Sequence, residues 1–392
     1  MTPSVSDIER YIDRDRVIER LTRLVRTASE NPPGNEAEVA AEVSEQCAAL
    51  GLEVSEHEAE PDRPSIVASM VRGDGPTLCY CSHIDVVPAG DPALWDGDPY
   101  GAVIRDGRLH GRGSSDAKGP VAASLEAVAA LLDAGVELNG TLQLALVADE
   151  EAMGFKGAGY LVDEGIVRPD MAIVGEPTSL RVVRAQRGAC WMRIMTRGVA
   201  THGSAPERGV SAIRHMAEIV LRLEETLPDI THPVVGGPSI SVGTIRGGEK
   251  VNIVPAGCLI EVDRRTIPGE TRESVLANVQ AAIDLAKKRF PDIDASAEIA
   301  FFAEPFDVGD SGRLVVGMRE AVTEALGREA ELVGFRGASD ARFIAATGAE
   351  VVLCGPGDIK LAHTAHEYID VDELVHGALA YAVAFARLLG AA

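Results

Sequence analysis

Residues 141–151 read TLQLALVADEE: seven or eight mostly apolar residues run without polar alternation into three acids, Asp149, Glu150 and Glu151. A continuous apolar run of this length is the signature of a strand covered on both faces, as in the parallel sheet of an α/β protein. Three adjacent carboxylates at its end repel one another strongly without a cation. The same texture lies on either side. Short β-prone runs are expected at Ser65–Val71, Thr77–Ser82, Ala102–Leu109 and Met171–Val174. Helical spacing marks residues 15–28 and 36–50, Ala117–Ala134 and Gly157–Glu164.

The pattern changes after residue 187. Strand (Cys190–Arg197), helix (Gly209–Glu225), strand (Ser239–Ile245), strand (Asn252–Arg265), helix (Arg272–Arg289) and strand (Asp294–Phe301) follow in that order. This β-α-β-β-α-β series is the ferredoxin-like order, which gives an antiparallel sheet with helices on one face. Beyond it the α/β texture resumes: a helix at Ser311–Leu326, strands near Glu331–Phe335 and Glu350–Leu353, a helix at Ala338–Ala346 and a closing helix from Val371 to Leu389. The expected organisation is an α/β domain in two pieces, 1–187 and 303–392, with an inserted domain at 188–302.

The bulk properties narrow the function. With 392 residues, 46% of them hydrophobic, the chain can bury a large core. Its formal net charge of −23 repels nucleic acid and anionic membrane surfaces, so neither is an expected partner. No run of about 18 apolar residues marks a membrane span. The amino-terminal stretch MTPSVSDIERYIDRDRV lacks an apolar signal core, so a cytoplasmic location is expected. Six scattered cysteines without a CxxC pair read as buried, reduced thiols.

Seven acidic and imidazole side chains stand at or just beyond strand-like runs. They are His83 and Asp85 in SHIDVVP, Asp116 in GRGSSDAKG, Glu150 and Glu151, Glu176 in VGEPT, and His363 in AHTAHEY. Imidazole and carboxylate together suit a borderline divalent ion such as zinc, with cobalt or manganese also accommodated. An additional carboxylate can activate metal-bound water. Taken singly, each has a plainer reading. Asp116 reads equally as a helix N-cap, the Glu pair as a solvated turn, Glu176 as a turn residue before Pro177, and His83 as a loop histidine. Spacing does not choose between His363 and His366.

The motifs SHIDVVP, GRGSSDAKG, DEEAMG, VGEPT, RGACWMRIMTRGVATHGSAPERGVSAI, VNIVP, DRRTIPGE and GPGDIKLAHTAHEY occur in one order along nearly the whole chain. In that order they resemble the dinuclear-zinc aminoacylase and carboxypeptidase family, which includes acetylornithine deacetylase, succinyl-diaminopimelate desuccinylase, glutamate carboxypeptidase and bacterial dipeptidases. The resemblance implies a zinc-exopeptidase-like three-layer α/β domain with an inserted ferredoxin-like lid and dimerisation domain. It implies that Asp116 bridges two zinc ions, that His83 and Glu176 complete one site, and that Glu151 and His363 complete the other. It makes Glu150 the general base and Asp85 the residue that orients His83. It also implies a cis peptide after Asp116, although Ala117 replaces the methionine common at that place. His366 stands where the family often has Asn or Asp.

In the insertion, the resemblance gives His202 an oxyanion-stabilising role in the site of a partner subunit, and gives Asn252 and Arg265 contacts to substrate. The guanidinium fork of Arg265 suits a carboxylate. The expected activity is hydrolysis of the amide bond of N-acyl amino acids by a homodimer, with dipeptide or carboxypeptidase substrates, or another small amide or aryl amine, as the alternative. A non-catalytic relative would lack Glu150 or a ligand, and none is missing. A nucleotide-binding α/β protein would need a glycine-rich phosphate loop, and GRGSS matches neither such pattern.

Overall fold

The structure, a computed structural model, describes residues 5–390. It divides into two compact units. One comprises Met1–Arg184, Val308–Val333 and Ser339–Ala392; the other comprises Ala185–Asp307 with Gly334–Ala338.

The first unit is built on a mixed sheet. At its centre four parallel strands lie side by side in the order Thr141–Val147, Thr77–His83, Met171–Val174 and Glu350–Leu353. Pro64–Val71 adds antiparallel to the first of these, and Glu53–Glu58 adds to Pro64–Val71. As the unbroken apolar runs implied, both faces of the central strands are covered. Leu78, Tyr80, Leu142, Leu144, Leu146 and Ile173 join the core formed with helices Arg14–Arg26, Ala37–Ala49, Lys118–Asp133, Arg313–Leu326 and Val371–Leu389. Cys79, Cys81, Ala145, Ala172 and Val351 alternate with them and are also buried. Helix Ala341–Ala345 packs on strand Glu350–Leu353 and against helix Ala158–Asp163. Tyr80 and Tyr381 meet edge-on at 5.0 Å, and each buried hydroxyl donates to a carbonyl, Tyr80 to Pro120 at 2.7 Å and Tyr381 to Cys354 at 2.6 Å. Those bonds remove the cost of burying the hydroxyls.

Two local expectations are corrected. Ala102–Leu109 is not one strand but a hairpin, Val103–Arg105 and Arg108–His110, which joins Tyr368–Asp370 in a small separate sheet. The cause is Asp106-Gly107, whose φ values of 51° and 74° make the left-handed pair that a two-residue hairpin requires. The strand Glu53–Glu58, sequence EVSEHE, was not anticipated, because at the sheet edge it buries too little to need an apolar face.

The second unit has the expected ferredoxin-like form. Its antiparallel sheet runs Ser239–Gly247, Gly257–Thr266, Gly188–Arg197, Asp294–Ala303. Cys190, Met192, Ile194, Ile260 and Val262 face helices Ala212–Leu223 and Arg272–Lys287 across one core. Asn252, expected at the start of a strand, lies in an exposed turn instead, and the strand begins at Gly257. The segment Gly334–Ala338 joins this unit because the Arg187 N–H donates to the Phe335 carbonyl at 3.0 Å.

Candidate metal centre

The parallel strands deliver their carboxyl ends to one place, which is where open α/β sheets hold ligands. His83 is the last residue of its strand and pairs in register with Val147, three residues before Glu150. Glu176 follows the neighbouring strand by two residues. Asp116 arrives from the loop that starts helix Lys118–Asp133, and the Asp116–Ala117 peptide is cis. His363 comes from the loop before Tyr368, with a φ of 63°.

Two groups of ligand atoms form there. His83, Asp116 and Glu176 make one and Asp116, Glu151 and His363 the other, with the atoms of each lying within 4.8 Å of one another. Asp116 belongs to both, and its two oxygens are divided between them. Oδ1 stands 3.2 Å from His83 Nε2, and Oδ2 stands 3.6 Å from His363 Nε2. His363 Nε2 also lies 3.0 Å from Glu151 Oε2. His366 is exposed and joins neither group. The donors are all imidazole nitrogen or carboxylate oxygen, which fits two borderline divalent ions and offers none of the thiolates of a soft-metal site.

The surroundings prepare these side chains. The His83 Nδ1 lies 2.9 Å from the Asp85 carbonyl oxygen. Donation there would leave Nε2, the nitrogen that faces Asp116, as the atom available to a metal ion. The Asp85 carboxylate stands farther off, its nearer oxygen 3.6 Å from Nδ1. That carboxylate accepts instead from Asn31 at 2.8 Å and from the backbone N–H groups of Glu150 at 3.2 Å and Glu151 at 3.1 Å. Burial alone would raise Asp85, but His83, Asn31 and the Glu151 N–H outweigh it and hold the carboxyl below its ordinary range.

Glu150 and Glu151 open a single 3-10 turn. Asp149 departs from them through a φ of 71° and pairs with buried Arg63 at 2.9 Å. The three acids are thereby separated. Burial, then the charge of Glu176, pushes Glu150 well above the usual carboxyl range. Glu176 is pushed the same way by burial. Burial would lower His83, but its bonds to Asp116 and Asp85 prevail and raise it. His363 is raised chiefly by its bond to Glu151. Each shift reflects a buried site crowded with negative charge.

Sequence reasoning missed three contributors. Asn31 and Arg63 support the site through hydrogen bonds from distant segments, and no local pattern marks them. Asp340 is 2% exposed with both carboxyl oxygens lacking hydrogen-bond partners. Burial pushes it up to about 7, with Arg342 working the other way. It fills the space beside Gly154, where a Cβ would collide with its Oδ1.

The remaining expected residues lie in the second unit. His202 is exposed, and its Nδ1 is engaged by Ser204 Oγ at 2.7 Å. Its backbone bridges to Ile253, and the Gly203 N–H donates to the Asn252 carbonyl at 2.8 Å, so His202 and Asn252 occupy adjoining loops. Arg265 is 34% exposed and forks onto Asp263 at 2.9 and 3.0 Å. It sits near the opposite end of strand Gly257–Thr266, about 26 Å from the loop end at the usual rise of an extended chain.

The chain is 34% identical over 321 residues to an acetylornithine deacetylase of Myxococcus xanthus, with 80% of each chain covered. It is 33% identical over 317 residues to that of Photorhabdus laumondii, with 78% of each covered. In three dimensions it is similar to an aminopeptidase of Bacillus cereus, with a TM-score of 0.81, 24% identity, and 96% of this chain and 99% of that one covered. It is also similar to a dinuclear metal binding peptidase of Bacillus subtilis, with a TM-score of 0.72, 15% identity, and 96% and 98% covered. The model of peptidase family M20/M25/M40 matches residues 79–387. With its motifs in that family's order and its α/β unit carrying a ferredoxin-like insertion, the chain belongs to peptidase family M20/M25/M40 and is a hydrolase of amide bonds.

Proposed function

We propose that the protein releases the acyl group from N-acyl amino acids, using two divalent ions, zinc by preference, held by His83, Asp116, Glu151, Glu176 and His363. The observation that carries this reading is the division of the two Asp116 oxygens between two ligand groups. When bound, such ions polarise the amide carbonyl and make water acidic enough to attack near neutral pH. Glu150, next to Glu151 in the chain and raised by burial and Glu176, takes the proton of the attacking water and passes it to the departing amine. Asp85 keeps the Glu150–Glu151 turn and His83 in place. The acyl amino acid substrate is carried over from the acetylornithine deacetylases to which the chain is 34% and 33% identical.

The insertion, 188–302, acts as lid and dimerisation domain in this proposal. His202 is the oxyanion donor, through Nε2, since Nδ1 is held by Ser204. Arg265 exchanges Asp263 for the substrate carboxylate, and Asn252 adds a polar contact. The length of strand between Arg265 and the His202–Asn252 loops is too great for all three from one chain to meet around one small substrate. It therefore favours a homodimer in which the partner supplies His202 and Asn252. Six buried, free cysteines suit a reducing, cytoplasmic setting.

The test is a hydrolysis screen with zinc, cobalt or manganese over N-acetyl, N-succinyl and N-formyl amino acids and dipeptides. Amine release from acylated amino acids is expected, abolished in Glu150→Ala with its metal content intact. Preference for dipeptides would replace the deacylase reading with a peptidase one. Release of no amine from any of them would sink both.

A further inference from the structure

Asp116 can serve two ligand groups only if its backbone is fixed, and helix Lys118–Asp133 begins too late to do so. The loop Gly111–Asp116 is instead gathered onto one side chain. Glu367 is 1% exposed. Its Oε1 accepts the backbone N–H of Ser115 at 3.0 Å and of Asp116 at 3.1 Å. Its Oε2 accepts from Arg112 Nη1 at 2.6 Å, and its backbone carbonyl accepts the N–H of Gly111 at 3.1 Å. Arg112 is itself buried and lies over the Trp95 ring at 5.1 Å. Glu367 also stands four residues beyond His363 on the same loop. One residue thus ties together two ligands from segments far apart in the chain.

We infer that Glu367 is a positioning residue for the metal centre: clamped by Arg112, it sets the backbone of Asp116 and locks it to the loop that carries His363. The inference rests on the two-metal reading above. An amide cannot substitute, because it offers one oxygen where two edges are used and turns an N–H toward existing donors. Partners that orient metal ligands in this manner typically contribute 10–100-fold to metal affinity or activity.

The test uses the full chain stripped of metal and titrated with Co2+, read by stoichiometry, affinity and the visible d–d bands. Wild type is expected to take two ions. Glu367→Gln is expected to bind about 10–100-fold more weakly, with altered bands. Glu126→Gln is the control: Glu126 is equally buried and paired with Arg16 at 2.7 Å, but touches no ligand. It should melt at lower temperature with wild-type cobalt affinity and bands. Wild-type bands and affinity in Glu367→Gln, or an equal loss in Glu126→Gln, would overturn the inference while leaving the two-metal reading standing. Failure of wild type to take two ions would remove both. Should Glu367→Gln not fold without metal, Arg112→Lys keeps the charge but not the Nη1 donor aimed at Glu367 Oε2 or the Nη2 bond to the Pro88 carbonyl. A several-fold loss of affinity is expected there, and an unchanged cobalt titration counts against the inference.

Discussion

Asp85 Oδ2 accepts the backbone N–H of Glu151 at 3.1 Å, 66 residues along the chain. The bond, with its neighbour to the Glu150 N–H, fixes where the proposed base and a ligand leave the sheet. Asp85→Asn keeps the volume but turns an amide N–H toward one of three existing donors. It is expected to lower kcat/KM and metal affinity by about 10–100-fold. Steady-state kinetics alongside metal titration checks this, and wild-type values in both would refute the positioning role.

Metal uptake should release protons. The metal-free site holds Glu150 and Glu176 above the ordinary carboxyl range by burial, and holds His83 and His363 above the ordinary imidazole range through their carboxylate partners. A cation displaces those protons, so apparent affinity rises with pH and falls on acidification. Calorimetric titration in buffers of different ionisation enthalpy measures the number released; a value of zero contradicts the assigned ligand set. Chelation should abolish turnover and lower the melting temperature, because an ion bound only to the folded state stabilises it.

Arg63 holds two buried carboxylates, Glu36 at 2.6 Å and Asp149 at 2.9 Å. Arg63→Met leaves both without their cation. Breaking a buried pair in this way costs about 3–5 kcal/mol, readable as a lower urea midpoint of the metal-free protein. Because Asp149 adjoins Glu150, turnover should fall as well. A stability within about 0.5 kcal/mol of wild type would show that the pair is replaceable.

Burial pushes the Cys47, Cys79 and Cys354 thiols up to about 12, against 9.0 for an unperturbed thiol. A folded-state value above the unfolded one gives stability that is complete below pH 9. It is then lost as pH rises through 9 toward 12, since only the unfolded chain can ionise. Urea midpoints should hold between pH 7 and 8.5 and decline beyond 9. Native protein at pH 8 should resist thiol alkylation until denatured, and prompt labelling of these three would contradict their burial.

Much of the fold was legible in the sequence because its signals are local. The run TLQLALVA needs cover on both faces wherever it sits, and the alternation of residues 257–266 needs cover on one. The hairpin at Asp106-Gly107 was also written in its two residues, although length alone suggested one strand. Glu53–Glu58 carried no such mark, because an edge strand is recruited by its neighbour's free hydrogen-bonding groups rather than by its own side chains.

The sequence by itself determined the chemistry available: histidines and carboxylates at strand ends, no thiolate set, and a formal net charge of −23. Tertiary structure alone decided the arrangement. The fold brought His83, at a strand end, and His363, on a loop, to the two oxygens of Asp116. Asp149 was separated from Glu150 by a left-handed turn and a distant arginine. Glu367 and Asn31 acquired their partners only through folding, since their bonds span 251 and 54 residues. Periodicity reports which face of an element must be buried. It carries no information about which remote donor will meet a carboxylate, and that choice depends on packing across the whole unit.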